Sequence, residues 1–195
     1  MPMKRKLFVD LDGVCYDTIK RICELYNEDF CYYDGFEMAR PSQIQSWDFE
    51  ELQLVNKNYI DYYFTQPRFF DGLNQYAFSK IYIQKLLWDG YSITFVSKGS
   101  APNLKLKQKW KDEHYPECDL VGVPLNHDKS QVNMAGGILI DDELRNLSTS
   151  NASVKICFGN VYPWNEEWDG LRCADWYQVY QKIKEVESED KVSQN

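Results

Sequence analysis

The chain has 195 residues, enough for one domain carrying a modest insertion and too few for two full domains. Twenty-two Lys and Arg against thirty Asp and Glu leave a formal charge of −8, which argues against a surface built to hold long nucleic acids. The six cysteines form no CxxC pair and no zinc-like spacing with histidine, and no apolar stretch has the length of a membrane span or the form of a signal peptide. The expectation is a soluble, cytoplasmic protein with reduced thiols.

In chain order, Leu7 to Asp10 is a short apolar run closed by Asp12-Gly13, the pattern of a buried strand ending at a turn. About sixty residues of helical and loop character follow, with no convincing strand. Asn74 to Asp89 carries Ala77, Ile81, Leu86 and Trp88 near helical spacing, with Asn74 as candidate N-cap and Gly90 as the stop. Tyr91 to Val96 reads as a strand, and Ser100-Ala101-Pro102 opens an amphipathic, Lys-rich helix running to His114. Leu120 to Val123, Gly137 to Ile140 and Val154 to Phe158 are further strand-length runs. A brief helix is expected over Ser130 to Ala135, another near Glu143, and a closing one over Trp176 to Val186.

Strands alternating with helices, over connections too long for hairpins, imply an α/β fold: a Rossmann-like, mainly parallel sheet with helices on both faces. Residues 1–17 and 73–188 are assigned to this core and residues 18–72 to an inserted helical cap. The polar composition of residues 189–195 reads as a disordered tail.

Asp10-Leu11-Asp12-Gly13 sets two carboxylates at i and i+2, on one side of an extended backbone at the strand's carboxyl end, the edge where open α/β sheets bind ligands. A carboxylate ionised at neutral pH can attack phosphorus without a base to activate it, which suits Asp10. A second carboxyl can protonate the leaving alcohol and then activate water, which suits Asp12. A calcium loop starting at Asp10 is ruled out, because Cys15 and Arg21 stand where it needs Gly and Glu.

Ile138 to Asp142 is a second apolar run ending in acids, so the sheet edge would collect up to four carboxylates. Their repulsion calls for a cation, and hard oxygen ligands with room for a phosphate oxygen match magnesium. Ser97, ending the strand before the Pro102 helix, can bind phosphate with the following amides. A cation at Lys129 can hold both the nucleophile and phosphoryl oxygens. It is not part of a nucleotide P-loop, since no Gly precedes Lys129-Ser130.

The order Asp10 and Asp12, Ser97, Lys129, Asp141 and Asp142 resembles the four motifs of the haloacid dehalogenase superfamily of phosphatases. Arg68 to Leu73, His127 to Ser130 and Ile138 to Asp142 further resemble segments of the cytosolic 5'(3')-deoxyribonucleotidases. The resemblance implies Asp10 as nucleophile and metal ligand, and Asp12 as acid/base whose carbonyl also meets magnesium. It implies Asp142 as a further ligand with Asp141 beside it, and Ser97 and Lys129 on the phosphate. Ser97-Lys98-Gly99 departs from the family's usual Thr-Ser-Pro and adds the charge of Lys98 to the phosphate site. Asp17-Thr18 stands where some members carry a base-stacking aromatic.

Residues 30–70 nevertheless hold twelve of the chain's thirty aromatic side chains, which makes a flat ligand plausible, and Phe36 and Trp47 are the candidates for base contacts. The cysteines and both histidines are read as structural. The expected activity is magnesium-dependent hydrolysis of nucleoside monophosphates, deoxyribonucleotides foremost, through an aspartyl-phosphate. The alternatives are a phosphatase of another small ester or of nucleic acid 3'-phosphate ends, and a non-catalytic nucleotide-binding protein of the same fold. A homodimer is expected only because many members of the superfamily pair.

Overall fold

The computed structural model describes residues 4–193. Its centre is β1 (Leu7–Val9), a strand of three buried apolar residues that pairs in parallel with β2 (Ile93–Gly99) on one side and β4 (Ile138–Asp141) on the other. β3 (Asp119–Pro124), β5 (Val154–Phe158) and β6 (Leu171–Cys173) complete the order β3-β2-β1-β4-β5-β6, every pair parallel. Successive strand residues point to opposite faces. Leu7, Val9, Phe95, Ile138, Ile140 and Ile156 therefore enter one apolar cluster, while Phe8, Val96, Leu139 and Cys157 enter another.

The first cluster is covered by α4 (Ser79–Trp88), α5 (Ala101–His114) and α7 (Trp176–Ser193), through Ile83 and Leu86, Trp110, and Val179 and Ile183. The second is covered by α6 (Leu144–Thr149) through Leu147, with Met134. The expected α/β class is what the chain adopts. Because β1 has sequence-distant neighbours on both sides, its carboxyl end opens into the crevice at the sheet's topological switch point.

The segment between β1 and β2 holds α1 (Thr18–Phe30), a 3₁₀ turn at Pro41–Gln43, α2 (Lys57–Tyr63) and α3 (Pro67–Asp71), with no strand over residues 18–72. α1 starts where the Asp17 carboxylate accepts the Lys20 amide at 2.9 Å. The buried Arg21 guanidinium donates to the carbonyls of Arg68, at 2.6 Å, and Phe69, at 3.2 Å, tying the end of this segment back to its beginning. Asp29 of α1 receives Arg68 Nη1 at 2.8 Å and the Tyr63 hydroxyl at 3.0 Å. The chain leaves and returns through a narrow neck, where the Asp17 amide donates to the Asn74 carbonyl at 2.9 Å and Tyr76 to Cys15 at 3.0 Å.

That neck explains why α4 begins at Ser79 and not at Asn74: residues 74 to 76 are spent on pairing with the turn after β1. The helix expected over Ser130 to Ala135 is a single 3₁₀ turn, Lys129–Gln131, capped by Asp128. β6 was not foreseen, being a short edge strand around Arg172. The closing helix also outruns its expected end at Val186. α7 continues to Ser193, supported by Lys182 with Glu185 at 2.5 Å, Lys184 with Asp89 at 2.9 Å and Lys4 with Glu187 at 3.8 Å. Of the tail expected to be disordered, residues 189–193 are thus helical, and residues 194 and 195 lie outside the described residues.

Candidate active site

Asp10 is the first residue beyond β1, anchored by its amide to the Ile140 carbonyl at 3.0 Å, so its carboxylate emerges at the carboxyl edge of the sheet. β4 delivers Asp141 and Asp142 to the same edge. The carboxylates of Asp10, Asp141 and Asp142, all buried, offer oxygens within 4.8 Å of one another. Lys129, 1% exposed, places its ammonium 2.7 Å from Asp10 and 2.8 Å from Asp141. Three carboxylates around one ammonium leave two negative charges uncompensated, the charge of one divalent cation.

The electrostatics record the crowding. Burial, with Asp141 and Asp12 adding to it against Lys129, pushes the Asp10 carboxyl up to about 7. Burial, with Asp141 and Asp10 adding to it against Lys129, raises Asp142 well above the carboxylate range. Burial pulls the Lys129 ammonium down, but Asp10 and Asp141 more than offset it and hold the proton. Burial, with Asp10 nearby, also pushes the Cys15 thiol well above its ordinary value, which agrees with a packing role for it.

The two acids of β4 differ in what they face. Asp141 Oδ2 accepts from Lys129, and its Oδ1 accepts the Glu143 amide and the Asn146 side chain, each at 3.0 Å. Among the described residues the Asp142 carboxylate accepts only the Trp164 indole N–H, at 3.3 Å on Oδ2, and Asp142 lines a cavity of about 320 Å³. Its backbone is pinned by Asn165 at 2.9 Å, which Arg172 of β6 holds in turn at 3.0 Å. Gly13 adopts a positive φ of 69°, and a Cβ there would fall 2.6 Å from Asp142 Oδ2, so only glycine lets the turn pass the acid.

The cavity floor also presents Asp10, Asp12, Lys98 and Lys129, and its opposite wall presents Trp47, Lys57, Asp61 and Phe64 from the segment after β1. Trp47 meets Trp164 at 5.5 Å between ring centroids, and Trp164 stacks on Tyr162 at 4.4 Å. Of the residues singled out in the sequence, Asp10, Asp12, Lys98, Lys129, Asp142 and Trp47 line this space. Ser97 and Asp141 lie buried just behind it. Phe36 does not reach it; half-buried, it packs on Tyr26 at 5.8 Å between centroids within the segment after β1, and Phe64 stands at the cavity instead.

Sequence reasoning missed Lys107. Its ammonium, on α5, forms an ion pair with Asp12, donates to Ser97 Oγ at 2.9 Å and to the Lys98 carbonyl at 2.8 Å, and is 1% exposed. The signal was its place three residues before Trp110 and four after Asn103, on the one face of α5 that is buried.

Ser97 was expected to end its strand, but β2 pairs with β3 as far as Gly99, so Ser97 lies inside the strand two residues from its end. A parallel sheet with acids at the carboxyl ends of β1 and β4, a serine near the end of β2 and a lysine between them is the arrangement that the resemblance to the haloacid dehalogenase superfamily of hydrolases implies. The model of the family described as "5' nucleotidase, deoxy (Pyrimidine), cytosolic type C protein" matches residues 4–189, and the chain belongs to that family, whose activity is that of a phosphomonoesterase of the 5'-nucleotidase type. It is 27% identical over 189 residues to a Chlorobaculum tepidum protein named "Putative 5'(3')-deoxyribonucleotidase", covering 90% of this chain and 88% of that one. Among solved structures it resembles a "predicted phosphatase" from Clostridium acetobutylicum, with a TM-score of 0.66 at 14% identity over 94% of this chain and 99% of the other. It also resembles a HAD-hydrolase from Bacillus subtilis bound to magnesium, with a TM-score of 0.58 at 12% identity over 93% and 99%.

Proposed function

We propose that this protein hydrolyses nucleoside monophosphates, deoxyribonucleotides foremost, in a magnesium-dependent reaction through an aspartyl-phosphate on Asp10. The observation that carries this reading is the Asp10, Asp141 and Asp142 cluster, neutralised in part by Lys129 and opening on a cavity walled by aromatic side chains.

Hard carboxylate oxygens carrying a surplus of two negative charges fit magnesium. Asp10 and Asp142 would hold it, with the Asp12 carbonyl. Asp141, whose two oxygens already have donors, would support the site through Lys129 and Asn146. When bound, the ion would neutralise charge on the phosphoryl oxygens.

In the first step an Asp10 oxygen bonds to phosphorus as the ester P–O bond breaks. The bond pair leaves on the alkoxide, which takes a proton from Asp12. In the second, Asp12 accepts a proton from water, the hydroxide oxygen bonds to phosphorus, and Asp10 departs as carboxylate. Lys129 and Lys98 would hold the phosphoryl oxygens, with the Ser97 hydroxyl behind them. Residues 18–72 would act as a cap, Trp47 and Phe64 stacking on the base, a contact contributing roughly 1–3 kcal/mol. The family's description and the set of free cysteines support a cytosolic setting.

Phosphate release from a panel of ribo- and deoxyribonucleoside monophosphates and sugar phosphates, with magnesium and with chelator, tests this. Deoxyribonucleotides are expected to be turned over best and only with metal, and Asp10→Asn is expected to abolish release while leaving the circular dichroism spectrum unchanged. Metal-dependent turnover that survives Asp10→Asn would remove the mechanism.

A further inference from the structure

Lysine is rarely buried unless its charge is met. α5 buries two. Lys111 donates to the Cys118 carbonyl at 2.9 Å and pairs with Asp112 at 2.5 Å, which ties the helix end to the turn before β3. Lys107 has no such local use: its ammonium reaches Asp12, the Ser97 hydroxyl and the Lys98 carbonyl, all parts of the site. The remaining Asp12 oxygen accepts the Thr18 hydroxyl at 3.1 Å, and Ser97 Oγ lies 3.3 Å from the oxygen that Lys107 holds. Both oxygens of this carboxylate are therefore fixed from outside its own loop. One turn earlier on the same face of α5, Asn103 donates to the Phe64 carbonyl at 2.9 Å.

We propose that Lys107 is a positioning residue: its ammonium, donating to Asp12, fixes the carboxyl so that, once it carries a proton, it stands where it can hand that proton to the departing alcohol oxygen. This rests on the phosphatase reading given above. As the P–O bond breaks, an alkoxide needs that proton, whereas a nitrophenolate leaves without one. Loss of Lys107 must therefore be felt by alkyl esters far more than by aryl esters. A lysine that merely bound phosphate or stabilised the fold would affect both alike.

The experiment compares kcat/KM for a deoxyribonucleoside 5'-monophosphate and for p-nitrophenyl phosphate in the wild type, Lys107→Met, Lys107→Arg, Asp12→Asn and the Asp12→Asn/Lys107→Met double variant. Since general acid catalysis contributes at least about a hundredfold, Lys107→Met should lose about that much on the nucleotide and less than about tenfold on the aryl ester. Lys107→Arg should recover much of the loss. In the Asp12→Asn background, Lys107→Met should cost little more, because the two act as one unit. Where thermal melts show Lys107→Met unfolded, Lys107→Gln, which retains donors to Ser97 and Lys98, takes its place in the comparison. Equal losses on the two esters, or additive losses in the double variant, would overturn the inference and leave the phosphatase reading standing. A wild type that releases phosphate from neither ester would remove both.

Discussion

Gly13 shows how finely one residue shapes the site. The turn after Asp12 must take a left-handed conformation, and it must do so against the Asp142 carboxylate. Gly13→Ala adds a left-handed backbone penalty of roughly 1–2 kcal/mol and drives a methyl into Asp142. The expected result is a folded protein whose activity needs a markedly higher magnesium concentration. A metal titration of phosphate release checks this, and an unchanged midpoint would mean that Asp142 is not a ligand. At this scale the sequence was most informative where strand and turn chemistry coincide. Asp10, Asp12, Asp141 and Asp142 follow short apolar runs, and local periodicity alone places them at a sheet edge. Lys107 follows no such run. It is buried because Asp12, 95 positions away, supplies its counter-charge, and helical pattern cannot reveal a partner at that distance.

Among the elements, α7 does more than cover the sheet. Its first residue, Trp176, is fully buried and donates its indole N–H to the Val14 carbonyl at 2.9 Å, fastening the turn that carries Asp12 and Gly13. Trp176→Phe keeps most of the apolar contact and leaves that carbonyl without its donor, at a cost of about 1–3 kcal/mol. Urea denaturation should show the midpoint falling with an unchanged slope; a midpoint equal to that of the wild type would show that the bond contributes nothing net. β1, β2 and β4 were legible because burial on both faces makes them continuous apolar runs. β6 and the true start of α4 were not. Each depends on what the chain meets in space, β6 on its pairing with β5 and residues 74–76 on the neck that closes residues 18–72.

For the molecule as a whole, acid is an informative stress, because several ties between elements run through carboxylates. Asp29 joins α1 to Arg68 and Tyr63, and the Arg68 hydrogen bonds, helped by Tyr63 and opposed by burial, hold its carboxyl below the ordinary value. A carboxyl depressed in the folded state adds stability above its unfolded pKa of about 3.9 and loses it as pH falls through the folded value. The pair is partly exposed, so its contribution is under about 1 kcal/mol. Asp29→Asn should therefore lower the denaturation midpoint slightly at pH 7, and the gap between variant and wild type should close as the solution is taken below about pH 4. A gap that persists in strong acid would show that Asp29 acts by packing and not by charge.

The neck through which residues 18–72 depart and return has an architectural consequence. Since Asp17 and Asn74 are already bonded to each other, whatever lies between them can lengthen, shorten or be exchanged without shifting any strand's register. The residues proposed to carry the hydrolysis sit almost wholly on one side of that junction, and the surface that would judge the rest of the substrate sits on the other. A lineage built this way can change its diet by trading one interchangeable part while its chemistry stays untouched.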